Sequence, residues 1–133
     1  MSDFPGFAHV AVTINDLSVS IPWYSKLFGS DPVLDEDTGP FRHVVWLIGG
    51  GALYSLHQFR DDLAQGGTAN EFATGLDHIS FAVPTRAGLE EWAKRLDELG
   101  IKHGDIIDAS YGSGLSFRDP DNVPLEFFAP PGT

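Results

Sequence analysis

The chain has 133 residues, a length typical of one domain over 1–133, and 42% of them are hydrophobic, enough to fill a core. Asp and Glu outnumber Lys and Arg by 19 to 8, so the net charge of −11 disfavours nucleic acid and anionic membranes as partners. The absence of cysteine excludes disulfides and thiolate chemistry, and we expect a cytoplasmic protein because neither a membrane-spanning run nor a secretory signal is visible.

The first half of the chain is predicted to form a strand, a helix and three short strands. The β-branched run at about 7–14 is typical of a strand. A helix follows that ends at Gly29, with Pro22 in its opening turn and Ser18 or Ser20 as its cap. Strands are then predicted at about 32–36, 42–48 and 52–59, with a tight turn at Gly49-Gly50-Gly51.

The second half repeats this order of elements. A strand is predicted at about 76–83, and apolar residues at three- and four-residue steps from Leu89 to Leu99 indicate a helix that ends at Gly100. Short strands follow at about 102–108, 113–118 and 123–129, with a turn at Asp119-Pro120-Asp121-Asn122.

A gapless internal repeat links the two halves at an offset of 69 residues. His9 falls on His78 (78 − 9 = 69), Trp23 on Trp92, Leu56 on Leu125, and His57 on Glu126. The repeat predicts an α+β fold with unit one at about 6–60, a linker at about 61–74 and unit two at about 75–129. We expect two tandem βαβββ units that form an eight-strand open barrel or cup with the helices outside.

Strand alternation places His9 and His78 on the inner faces of these units, and His57 and Glu126 join them if the last strand of each unit also turns its polar side chain inward. His9 and His78 lie opposite bulky apolar neighbours, and the repeat pairs His57 with Glu126. Imidazoles and a carboxylate are suited to a divalent metal, although a single histidine on an apolar strand is more often a hydrogen-bonded core residue. Ser55 shares a face with His57, so a one-residue bulge would exchange which of the two reaches the metal. His43 and His103 are predicted to be surface residues.

Four segments carry a family resemblance: Ala8-His9-Val10-Ala11-Val12, Trp23-Tyr24-Ser25-Lys26-Leu27-Phe28-Gly29, Asp77-His78-Ile79-Ser80-Phe81-Ala82-Val83, and Phe117 to Glu126 through Asp119-Pro120-Asp121-Asn122. Together they resemble the vicinal oxygen chelate superfamily, also called the glyoxalase/bleomycin-resistance/dioxygenase family, over the full length of the chain. The resemblance implies one divalent metal ion (Fe, Zn, Mn, Ni or Co) held by His9, His57, His78 and Glu126. It also implies a small substrate that is chelated through vicinal oxygens.

Several functions within this superfamily are compatible with the residues. We expect a lyase, an isomerase or a ring-cleaving dioxygenase, with His57 and Glu126 as catalytic residues; the alternative is a non-catalytic small-molecule or antibiotic-binding protein of the same fold. Candidate substrate contacts are Ala11, Trp46, Ser55, Phe59, Ser80 and Phe128. A homodimer is expected, and the two units could pair within one chain or be swapped between two. The glutamate that glyoxalase I-like members carry on the fourth strand is missing here, where Ser55 and His57 stand.

Overall fold

A computed structural model describes residues 2–133 and divides the chain into two compact units, the first ending at Gly67 and the second beginning at Thr68. Unit 1 contains β1 (His9–Thr13), α1 (Leu17–Phe28), β2 (Leu34–Asp37), β3 (Phe41–Leu47) and β4 (Leu53–Phe59), with a short 3₁₀ turn at Gly49–Gly51. Unit 2 contains β5 (Ile79–Ala82), α2 (Arg86–Glu98), β6 (Ile107–Ala109), β7 (Gly112–Arg118) and β8 (Pro124–Ala129). The predicted α+β class and the two βαβββ units are therefore confirmed.

Each unit has a four-stranded mixed sheet of the same topology. The strand orders are β1-β4-β3-β2 and β5-β8-β7-β6. β1 runs parallel to β4 and β5 runs parallel to β8, whereas the other neighbouring strands are antiparallel. In the part of the chain that the structure describes, no helix is long and apolar enough to cross a membrane.

One face of each sheet is covered by the helix of its own unit. Tyr24 of α1 packs on Tyr54 with ring centroids 5.2 Å apart, and Trp92 of α2 stacks on Phe127 at 4.2 Å. Because side chains alternate along a strand, the neighbours of Tyr54 and Phe127 project from the opposite face. We call this opposite face the distal face; it carries His9, Ser55 and His57 in unit 1 and Ser80 and Glu126 in unit 2.

The helix starts agree with the repeat, but the predicted cap of α1 is wrong. The carboxylate of Asp16 accepts a hydrogen bond from the Ser18 backbone N–H at 2.9 Å, and α1 begins at Leu17. Pro22 therefore lies inside the helix rather than in its opening turn. Thr85 caps α2 in the same way, and Asp16 and Thr85 are again 69 residues apart (85 − 16).

The helix ends do not keep this offset. Gly29 and Gly100 have left-handed φ angles of 68° and 72°, and they are 71 residues apart (100 − 29). The strands beyond the helices keep this spacing of 71. Ala11 and Ser80 are equivalent residues of the first strands (80 − 11 = 69); Ala11 pairs with Ser55 and Ser80 pairs with Glu126, and 126 − 55 is 71. The residue equivalent to Glu126 is therefore Ser55, not His57, because the second unit has two extra residues between its helix cap and the left-handed glycine.

Candidate functional site

The distal face of unit 2 brings an imidazole and a carboxylate together. His78 immediately precedes β5, and its Nε2 lies 3.8 Å from Oε1 of Glu126 on the adjacent strand β8. Ser80 faces Glu126 directly in the strand register and donates a hydrogen bond to the same Oε1 at 2.9 Å. The side chains of His78 and Glu126 are 45% and 22% exposed, so solutes can reach the pair.

Asp77 determines which nitrogen of His78 is available. Oδ1 of Asp77 lies 2.6 Å from Nδ1 of His78. In the neutral imidazole the proton lies on Nδ1, where it is donated to this carboxylate, and the lone pair of Nε2 faces Glu126. A metal-binding histidine commonly donates a hydrogen bond to a carboxylate from the ring nitrogen that does not bind the metal, as Nδ1 of His78 does here. Asp77 was not singled out from the sequence, where it is simply the residue before His78.

The separation within the pair fits a metal ion. Nitrogen and oxygen donors that each lie about 2.1 Å from one ion are at most about 4.2 Å apart, and 3.8 Å meets that limit. The donor types also fit, since imidazole and carboxylate bind zinc, iron and manganese. Among residues 2–133, no group of three or more His, Cys, Asp or Glu side chains is gathered in a way that could hold a metal ion. His78 and Glu126 by themselves therefore supply only two of the donors that a metal site needs.

In unit 1 the equivalent strand positions hold His9 and Ser55. His9 is exposed on the distal face of β1 and lies opposite Leu53 of β4. Ser55 is only 4% exposed, and its hydroxyl has no hydrogen-bond partner among the residues described. The short hydroxyl side chain of Ser55 does not reach as far as the carboxylate of Glu126 does.

His57 lies farther along β4 than the repeat predicts. It is four residues beyond Leu53, the partner of His9, which corresponds to about 13 Å at about 3.3 Å per residue. Its ring stacks on Phe41 with centroids 4.4 Å apart. Burial lowers the pKa of the His57 imidazole, and electrostatic interactions with His43 and His9 lower it further. A neutral imidazole at neutral pH is suited to accept a proton.

His43 is a second functional candidate, after Asp77, that was not singled out from the sequence. It was predicted to be a surface residue, but it lies on the distal face of β3 opposite His57, with the two ring centroids 5.5 Å apart. Its side chain is 21% exposed, and Nε2 is 3.5 Å from Oε1 of Glu36. The signal was present in the hairpin, because residues 43 and 57 are equally distant from Gly50 in the turn. His103, also predicted at the surface, is half-buried beside Asp97.

Five of the six predicted substrate contacts lie on the distal faces. These are Ala11, Ser55 and Phe59 in unit 1 and Ser80 and Phe128 in unit 2. Trp46, in contrast, is fully buried against α1, where its Nε1 donates a hydrogen bond to the Ser30 carbonyl at 3.2 Å. The prediction for Trp46 is corrected on this ground: strand alternation turns its side chain towards the helix.

Residues 6–127 match the family model of the Glyoxalase/Bleomycin resistance protein/Dioxygenase superfamily. The chain belongs to this superfamily. Members typically bind a divalent metal ion and small-molecule substrates, and they often form dimers. No curated protein matches the chain.

Solved structures of the superfamily share the fold over nearly the whole chain. A glyoxylase/bleomycin resistance protein/dioxygenase domain from Frankia sp. EAN1pec is 26% identical, with a TM-score of 0.86 over 96% of this chain and 99% of that one. A glyoxalase family protein from Enterococcus faecalis is 21% identical, with a TM-score of 0.78 over 94% and 98%. The fosfomycin resistance protein FosX from Listeria monocytogenes is 21% identical, with a TM-score of 0.68 over 98% and 95%.

Proposed function

We propose that this superfamily member is a metal-dependent enzyme that acts on a small substrate with vicinal oxygens. The observation that carries the proposal is the His78–Glu126 pair, with its 3.8 Å separation and with Asp77 behind the imidazole. Without a cation, the partly buried carboxylate of Glu126 would rely on one serine hydroxyl for its hydrogen bonding. A divalent ion between the two side chains would satisfy both.

The third ligand of this proposal is His9. It occupies the strand position equivalent to His78 and lies exposed on the distal face of its sheet. His9 comes either from the same chain as His78 or from a second copy in the predicted homodimer, the two arrangements that the repeat allows. Two neutral imidazoles and one carboxylate would leave a divalent ion with a net charge of +1, which favours an anionic or enolate-like substrate. Bound there, the ion would act as a Lewis acid towards the two substrate oxygens.

His57 receives a different role in this proposal. The sequence predicts it as a fourth ligand, but the strand register assigns the position equivalent to Glu126 to Ser55. His57 lies two residues farther along the same distal face, and its lowered pKa keeps the imidazole neutral near pH 7. We therefore assign it proton transfer to or from the substrate, with Phe41 restricting the ring by stacking. The ligand role remains the alternative, and one substitution separates the two.

Metal titration of the metal-free protein tests the ligand set. We expect alanine at His9, His78 or Glu126 to weaken binding of Zn²⁺ or Mn²⁺ at least about 10-fold, the lower bound seen even for outer-shell losses. His103→Ala is the matched control, since His103 pairs with Asp97 and Gly104 and not with the site. If the three variants bind metal as the wild type does, the proposed site is wrong.

His57→Ala separates proton transfer from metal binding. Unchanged metal affinity combined with lost turnover of a vicinal dioxygen compound supports proton transfer, whereas affinity weakened about 10-fold or more identifies a ligand. Turnover is measured on a panel that includes a catechol, an α-hydroxy ketone and an α-keto acid. If His57→Ala alters neither metal affinity nor turnover, His57 is not part of the site.

The second candidate function is a non-catalytic binder of small molecules. The unpartnered hydroxyl of Ser55, in the position equivalent to Glu126, is the observation that favours it. Titration of the protein with the panel compounds discriminates the two functions, because a binder would take them up with equal affinity in the presence and absence of metal. The type of reaction, the homodimer and the cytoplasmic location remain predictions.

A further inference from the structure

The carboxylate of Glu126 lies across the neighbouring strand β7 at Gly114. Oε1 faces Ser80 and His78, as described above, whereas Oε2 occupies the space where residue 114 would carry a side chain. A Cβ atom built on Gly114 would lie 2.9 Å from Oε2 and 3.3 Å from Cδ of Glu126. Any residue larger than glycine at this position must therefore displace the carboxylate.

The backbone gives no other reason for a glycine there. Gly114 is inside β7, pairs with Phe128 of β8 and is not among the glycines with positive φ. Glycine in a strand interior weakens the strand and often marks the close approach of another group. In this case the approaching group is the side chain of Glu126.

The first unit shows the complementary arrangement. His43 of β3 is the equivalent of Gly114 of β7. His43 faces His57 and Gly114 faces Phe128, and the offset is 71 residues for both pairs of equivalents (114 − 43 and 128 − 57). Where β4 carries the short Ser55, β3 carries the imidazole of His43; where β8 carries the long Glu126, β7 carries no side chain. The long side chain is therefore on the third strand in unit 1 and on the fourth strand in unit 2.

We infer that Gly114 is a positioning residue for Glu126. Because it has no side chain, it leaves room for the carboxylate to lie against β7 with Oε1 directed towards Ser80 and Nε2 of His78. The inference rests on the proposed metal site, in which Glu126 is a ligand. The contact made by an added Cβ is with the far end of a flexible side chain, so alanine at position 114 displaces the carboxylate without disturbing the core.

The test compares Gly114→Ala with Gly104→Ala. The control makes the same change in the same unit, at a glycine whose added Cβ would have only an ordinary contact, 3.9 Å from the Ser116 carbonyl. We expect Gly114→Ala to raise the Kd for Zn²⁺ or Mn²⁺ about 10-fold, the scale of losses from the surroundings of a metal site. The Tm of the metal-free protein should change no more than in Gly104→Ala, whose Kd should equal that of the wild type.

A double-mutant cycle makes the assignment specific. In a Glu126→Ala background there is no carboxylate to displace, so adding Gly114→Ala should leave the remaining affinity unchanged. If Gly114→Ala does not fold, the double variant should fold again; failure of both would overturn the inference.

The outcomes also separate the inference from the function on which it rests. If Glu126→Ala weakens metal binding and Gly114→Ala does not, the positioning role is wrong and the metal site stands. If neither variant alters binding, both are wrong.

Discussion

His103 is predicted to make the stability of unit 2 depend on pH. Its Nδ1 lies 2.7 Å from the Gly104 carbonyl oxygen, and its Nε2 lies 2.8 Å from Oδ1 of Asp97 in α2. A neutral imidazole has one N–H and can satisfy only one of these acceptors, whereas the imidazolium donates to both. The hydrogen bond to Gly104 raises the pKa of His103, and Asp97 raises it further against the opposing effect of burial.

The sign and size of the effect follow from this geometry. Because the pKa in the folded protein is above the ordinary value of 6.5, the stabilisation is fully present below pH 6.5 and is lost as pH rises through the folded pKa. One of two hydrogen bonds is lost on deprotonation, which corresponds to about 1 kcal/mol. The side chain of Asp97 is 71% exposed, so solvent screening keeps the loss near or below that figure.

Urea unfolding of the wild type and of His103→Gln at about pH 5.5 and about pH 8.5 measures this contribution. The difference between the two proteins cancels the titration of all other groups. We expect the wild type to lose about 1 kcal/mol more than the variant on going to the higher pH. An identical pH dependence in both proteins, or a larger loss in the variant, would refute the reasoning.

Substitutions at three further positions give measurable outcomes. Asn122 has a left-handed φ of 67°, so Asn122→Ala should lower the free energy of unfolding by about 1 kcal/mol while Asn122→Gly costs less, and equal losses would contradict this. Leu96 of α2 is fully buried, so Leu96→Ala should cost about 2–5 kcal/mol in the same urea assay, and a loss below about 1 kcal/mol would show that the site is not packed. Asp77→Ala should raise the metal Kd about 10-fold with little change in Tm, and an unaltered Kd would show that Asp77 does not support His78.

The sequence predicted the features that depend on local pattern. Alternation placed His9 and His78 opposite the apolar residues that face the helices, and the repeat predicted the equivalent helix positions of Trp23 and Trp92, each seven residues after its cap (23 − 16 and 92 − 85). The first feature depends on the strand period of two, and the second on the offset of 69 residues, which holds as far as the two tryptophans.

The sequence could not reveal the two extra residues of the second helix region. A shift of two residues along a strand returns every side chain to the same face, so Leu56 over Leu125 looks as consistent as the true equivalence of Tyr54 with Leu125. The gapless repeat therefore matched His57 with Glu126. The role of Gly114 was also invisible, because it depends on a contact between two strands.

The most direct test of the metal site is a crystal structure of the protein loaded with Zn²⁺ or Mn²⁺, in which anomalous scattering locates the ion. We predict one strong peak about 2.0–2.2 Å from Nε2 of His78, a carboxylate oxygen of Glu126 and a ring nitrogen of His9. A peak bound by other residues, or none at saturating metal, would contradict the account.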